Sequence, residues 1–299
     1  MGIVLSAAPQ NNIVALFYGH LEERYPYMPI LFISRGTMSG VYQLVDCLHE
    51  HTGLRSASHE SLTQIVNRYG ELATRVVEQL AGAVSGYDQF SRLRWPYLVL
   101  MRHSLLEEVR DDNLIYHGYS GHFLLPTLQH FIRVRIDAPL DLRIRMTMDR
   151  LNCDENAARD YITQADDERV RWARFMFARD LRDPKYYDLH LNLGHMSLKA
   201  MCGIFERVMA EEEFQALPET RTQVEQLFLA ASVEAALVTD PRTHTLEIAA
   251  KVEEGVLSLS GPYLKGAELK TVMEIAAAVP GVEKVRYAPG YAPMLGVQR

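Results

Sequence analysis

Pro29-Ile30-Leu31-Phe32-Ile33-Ser34-Arg35-Gly36-Thr37-Met38-Ser39-Gly40 is an apolar run that breaks into small residues before a helical pattern begins. In that pattern Val41, Leu44, Val45 and Leu48 recur at the helical period, and His51-Thr52-Gly53 closes the run with a glycine just past the helix end. Strand, tight loop and helix in this order form the layout of a phosphate-holding loop, because backbone N–H groups and a helix N-terminus attract anions. The pattern GxxxxGK followed by Ser or Thr would put a lysine directly after Gly40. Here stand Val41, Tyr42 and Gln43. The chain has the frame of the loop without its lysine, so whether it is a working enzyme is the central question.

Working outward, strand patterns return at Asn113–Gly118, at His130–Asp137 and, briefly, at Tyr187–Asn192. Helical text separates them: from Ser58 to about Val109, from Pro139 through Ile144 to Leu151, over a charged stretch capped by Asn152-Cys153-Asp154, and over Met196–Met209. Strands alternating with helices imply an α/β fold, a parallel sheet with helices on both faces. Before the loop, Asn11 or Asn12 is placed to cap a helix through Ile13, Leu16, Phe17 and Leu21, giving an N-terminal helical extension over 1–28.

Beyond a linker at 211–221 the grammar changes. A helix from about Thr222 to Val238 is followed by strands Thr245–Val252 and Val256–Leu259, joined by the hairpin turn Glu253-Glu254-Gly255. A helix over Lys265–Ala278 and a strand over Val282–Tyr287 complete a small α-β-β-α-β unit within 222–290, before a tail at 291–299.

A length of 299 residues predicts two domains at roughly 150 residues each. With 48% hydrophobic and 23% charged residues the composition is that of a globular protein. The net charge of −7 argues against nucleic acid as a partner, since non-specific binding needs a basic surface. Cys47, Cys153 and Cys202 are odd in number and far apart, so no disulfide framework or CxxC metal site is read. With no secretory pattern and no run approaching the roughly 18 apolar residues of a membrane span, a reducing cytoplasm is the expected location. Met1-Gly2-Ile3-Val4-Leu5-Ser6 fits the loose myristoylation pattern, which chance matches often. His49-Glu50-His51 lacks HExxH spacing, and no metal site is predicted from protein ligands alone.

Several segments together resemble the cytidylate-kinase-like family of P-loop proteins. They are Ile33-Ser34-Arg35 with its small-residue loop, His117-Gly118, Val134-Arg135-Ile136-Asp137-Ala138-Pro139-Leu140, Asp167-Glu168-Arg169-Val170-Arg171-Trp172-Ala173-Arg174, and the run from Asp183 to Asn192. The resemblance spans the segment 29–210. Val252–Gly261 and Pro280-Gly281-Val282-Glu283-Lys284-Val285 are similar to the BON domain, a unit associated with phospholipid surfaces or macromolecular partners.

The first resemblance implies a nucleotide ligand, with ATP and Mg²⁺ as cofactors if the chain is active. It implies phosphate binding by Ser34, Arg35, Gly36, Thr37, Ser39 and Gly40, a lid helix delivering Arg169, Arg171 and Arg174 to the transferring phosphoryl group, and acceptor binding at Gly118 and Asp167. Three departures weaken it: Met38 and Val41 add bulk where the family has glycine, Tyr42 removes a charge, and Tyr119 replaces the acceptor-side arginine. Two readings stay open. One is an ATP-dependent nucleoside monophosphate kinase; the other is a catalytically inactive pseudoenzyme, a sensor or scaffold whose BON-like unit binds a protein partner or an anionic membrane. Homo-oligomerisation is also left open.

Overall fold

The computed structural model describes residues 29–81, 91–194 and 196–290. The helix expected around Ile13–Leu21, the myristoylation pattern and the tail lie outside the described residues.

Five parallel strands form the main sheet in the order β2-β3-β1-β4-β5: β1 Ile30–Arg35, β2 Arg55–Ser58, β3 Leu114–Gly118, β4 Phe131–Asp137 and β5 Leu189–Asn192. The central strand β1 is buried on both faces, which is why it reads as an unbroken apolar run rather than an alternation. Successive side chains point to opposite faces. Ile30 and Phe32 join one core with Tyr116 and Phe131, while Leu31 and Ile33 join the other with Val134 and Ile136. The edge strand β2 was not expected. It has four residues, only Ala57 among them is buried, and its pairing with β3 is made by backbone atoms alone, so the side-chain pattern does not announce it.

The helices are α1 Val41–Thr52, α2 His59–Val66, α3 Glu71–Ala81, α4 Ser91–Val109, α5 Leu140–Leu151, α6 Glu155–Phe177 and α7 Leu198–Met209. In α1 the buried residues are the expected Val41, Leu44, Val45 and Leu48, and Gly53 ends the helix at φ 71°, its N–H donating to His49 O. The Asp154 side chain accepts from Ala157 N–H and starts α6. Helices α1 and α7 cover one face of the sheet. Cys47 of α1 and Cys202 of α7 form a disulfide, with Cα atoms 6.6 Å apart. This corrects the reading of three unpaired cysteines: a separation of 155 residues carries no pairing signal in the sequence.

The C-terminal elements follow the expected order: α8 Pro218–Thr239, β6 Ala249–Glu253, β7 Val256–Gly261, α9 Gly266–Ala278 and β8 Lys284–Pro289. Glu254 and Gly255 both take positive φ (50° and 75°), as the tight turn between antiparallel β6 and β7 requires. Helix α8 is apolar on two sides and serves two cores. Val224, Ala231, Ala235 and Val238 pack into the core of the first unit, and Val233 and Leu237 pack with Ile248, Leu257, Leu259 and Val272. Across this contact Arg102 of α4 lies 3.4 Å from Glu234 of α8, both buried, and Glu234 Oε1 also accepts from Ala250 N–H at 2.8 Å. Among the described residues no helix is long and apolar enough to cross a membrane.

Candidate phosphate site

The loop between β1 and α1 sits where parallel strands end, the usual ligand side of an open α/β sheet. Two glycines fix its path. A Cβ on Gly36 would come within 3.0 Å of Asp137 Oδ1. Gly40 holds φ 76°, and a Cβ there would meet Leu193 Cδ2 at 2.3 Å. Met38 also takes the left-handed region, at φ 55°, where a side chain costs about 1 kcal/mol or more. Val41 does not fill the nest as its β-branch suggested. It is the first residue of α1 and its side chain turns into the core, 2% exposed, so the residue with a glycine-like backbone is Met38.

A cavity of about 600 Å³ opens over the loop, walled by Arg35, Thr37, Ser39, Gly40, Arg150 and Arg169 among others. Two of its wall atoms, Ser39 Oγ and Arg35 Nε, are buried without a hydrogen-bond partner. Native interiors rarely leave such groups unpaired, and a bound ligand is one reason they do. Tyr42 stands in the mouth between guanidiniums, with Arg35 Cζ 4.7 Å and Arg150 Cζ 5.6 Å from its ring centre. Glu60 and Asp149 are the carboxylates of the wall. Burial opposes ionisation of Glu60, but hydrogen bonds from its own backbone and Ser58 outweigh it and hold the group below its usual range.

The charged helix α6 reaches the loop through two side chains. Arg169 Nη1 donates to Thr37 Oγ1 at 2.6 Å, and Asp166 Oδ1 accepts from Thr37 N–H at 3.1 Å. From α5, Arg143 clasps the same point: Nε donates to Thr37 O at 2.6 Å and Nη2 to Asp166 Oδ2 at 2.5 Å. Burial raises the Asp166 carboxyl, but the hydrogen bonds from Thr37 and Arg143 prevail, so it stays ionised. Arg169 is pushed down by burial and by the nearby Arg35 cation.

The structure thus gathers Arg35, Thr37, Ser39, Gly40 and Arg169 around one cavity, and places the other candidates elsewhere. Ser34 lies beneath the loop, 1% exposed, its hydroxyl donating to Tyr119 O at 3.1 Å and accepting from Arg135 Nη1 at 3.3 Å. Gly36 fits tightly over Asp137. Gly118 is buried at the end of β3, paired in register with Ser34. Arg171 and Asp167 are exposed, and Arg174 bonds Asp180 at 2.9 Å near the far end of α6. Tyr119 lies under the Arg169 guanidinium, whose Cζ is 5.5 Å from its ring centre.

Sequence reading singled out neither Arg143 nor Asp166 as a partner of the loop, and named Asp167 for acceptor binding. The signal for Asp166 was present: Ala158, Ile162, Asp166, Arg169 and Ala173 are spaced 4, 4, 3 and 4 apart, one stripe of a helix whose apolar members are buried. A charged pair inside a buried stripe must meet something.

A five-stranded parallel sheet in this order, flanked by helices and carrying a glycine-containing loop after its central strand, is a P-loop kinase-like α/β fold. Residues 30–195 match the model of the cytidylate kinase-like family; this is more than half of the chain, and the protein belongs to that family. Similar solved structures include an uncharacterized protein from Eubacterium ventriosum, with 17% identity, a TM-score of 0.47, and 62% of this chain and 99% of that one covered. Shikimate kinase from Bacteroides thetaiotaomicron matches at 15% identity and TM-score 0.36, over 62% of this chain and 99% of that one. Shikimate kinase from Acinetobacter baumannii matches at 10% identity and TM-score 0.34, over 64% and 95%. No curated protein matches the chain.

Proposed function

We propose that the cavity over the loop takes the phosphate end of a nucleoside triphosphate, and that the protein passes its terminal phosphoryl group to a nucleoside monophosphate. The observation that carries this reading is the pair of unpartnered wall atoms, Ser39 Oγ and Arg35 Nε, beside the Arg169 guanidinium. A hydroxyl and two guanidiniums are donors suited to phosphate oxygens. Phosphoryl transfer asks a protein mainly for positioning and charge neutralisation. In this chain Arg169, already fixed on Thr37, supplies the cation that the missing lysine would have given.

Among the described residues no group of three His, Cys, Asp or Glu side chains is placed to hold a metal. Mg²⁺ commonly takes one or two carboxylates together with substrate phosphates, and Glu60 and Asp149 are the wall residues that would hold it. When bound, Mg²⁺ neutralises phosphate charge. Arg35 and Arg169 orient the phosphates, and Tyr42 shields the mouth from water.

The second reading is a nucleotide sensor or scaffold, favoured by the loss of cations at Tyr42 and Tyr119 and by the anchoring of α8 on α4 through Arg102 and Glu234. In it the C-terminal unit, which resembles a BON domain, contacts a protein partner or anionic surface. Incubation with ATP–Mg²⁺ and CMP, UMP or AMP separates the two. Product above that of an Arg169→Ala preparation supports transfer. Binding without product supports the sensor, whereas neither binding nor product contradicts both transfer and sensing and leaves the scaffold.

A further inference from the structure

We propose that Thr37 N–H, Arg143 and Arg169 form an oxyanion site for a phosphoryl group, and that Asp166 occupies it as a built-in placeholder which the incoming phosphate must displace. The inference rests on the nucleotide reading of the cavity and names the gate of that site.

The geometry is that of a bound anion. One carboxylate oxygen accepts from the loop amide of Thr37 at 3.1 Å; the other accepts from Arg143 Nη2 at 2.5 Å; Arg169 Nη1 stands 3.9 Å from Oδ1. A phosphoryl oxygen seeks the same set: a backbone N–H next to a helix N-terminus and convergent guanidiniums. Arg143 and Arg169 thus bring two guanidiniums to the single negative charge of Asp166. This surplus suits a polyphosphate better than a carboxylate.

The placeholder also explains how the helical hairpin is held. Ile144 of α5 packs with Ala158 and Ile162 of α6 in a core of their own, so the two helices form one packed hairpin. Among their contacts, Arg143 Nε on Thr37 O, Asp166 on Thr37 N–H and Arg169 on Thr37 Oγ1 bind the hairpin to one residue of the loop. A ligand oxygen that replaces Asp166 keeps both arginines and releases only the carboxylate. If Asp166 holds the amide for roughly nine-tenths of the time, the apparent Kd for phosphate ligands is about ten times the intrinsic one.

The test is calorimetric titration of the full chain with ATP–Mg²⁺ and, separately, with sodium tripolyphosphate, at fixed pH and ionic strength. Asp166→Asn keeps the shape and removes the charge. Asp160→Asn, on the exposed side of α6, removes an equal charge away from the loop. The expected result is about tenfold tighter binding of both ligands by D166N, a change below about twofold for D160N, and loss of the gain in the Arg143→Gln/Asp166→Asn double variant. Should D166N fail to fold, Asp166→Ser is read in its place. Binding by the substituted protein that equals or falls below that of the unaltered chain overturns the placeholder. If the unaltered chain then binds ATP measurably, the nucleotide reading survives; if neither protein binds, both fall.

Discussion

Arg169 Nη1 donates to Thr37 Oγ1 at 2.6 Å, tying the loop after the first strand to a helix 132 residues further along the chain. Of the three arginines suggested by the helix sequence, Arg169 lines the cavity, whereas Arg174 is held by Asp180. Truncating a charged donor of this kind costs about 1.5–3 kcal/mol. Arg169→Ala is therefore expected to weaken ATP–Mg²⁺ binding by about 10- to 100-fold, and Arg174→Ala by much less. Equal losses from the two, measured by titration, would show that the arginines act only through overall charge.

The contact between α4 and α8 gives a stability prediction. Glu234 is fully buried, burial raises its carboxyl, and Arg102 offsets part of that rise. Removing one member of a buried pair leaves the other uncompensated, at a cost of about 3–5 kcal/mol. Glu234→Leu should lower the unfolding free energy by this amount in urea titrations, and adding Arg102→Met should recover part of it. Strict additivity of the two losses would mean that the charges do not interact.

A third prediction concerns acid. His130 is 0% exposed, and among the described residues neither ring nitrogen has a hydrogen-bond partner. Burial, helped by the Arg221 cation, pushes its pKa down to about 4. An unfolded chain protonates this histidine near pH 6.5, so between about 6.5 and 4 the unfolded state binds more protons and stability falls as pH falls. The upper limit of this slope is about 1.4 kcal/mol per pH unit for one histidine. His130→Leu should flatten the acid side of the stability profile. His103 and His122, buried and lowered to about 4 and about 3, add slope of the same sign, as do His59 and His117, which burial also lowers. An unchanged profile would exclude His130 as a source of acid lability.

Much of the fold was legible because the deciding residues are buried in a regular pattern. The run Ile30–Ile33 announces a central strand, and the spacing of Val41, Leu44, Val45 and Leu48 announces the face of α1. The site was legible only where it is local in sequence, as in the loop itself. Which of two adjacent carboxylates faces the loop depends on the rotation of α6, and the phase set by Ile162 and Ala173 gives that place to Asp166. Arg143 comes from another helix, and nothing in its neighbourhood marks it. Strand β2 is held by backbone bonds to β3, which no side chain reports.

The most direct measurement is the melting temperature of the full chain as ATP–Mg²⁺ is raised from micromolar to millimolar. A ligand that binds only the folded state stabilises it by mass action, so the melting temperature should climb steadily with concentration and the climb should be much reduced in Arg169→Ala. A flat curve at millimolar ATP, in a chain whose loop and arginines are intact, would contradict the claim that this cavity is a nucleotide site.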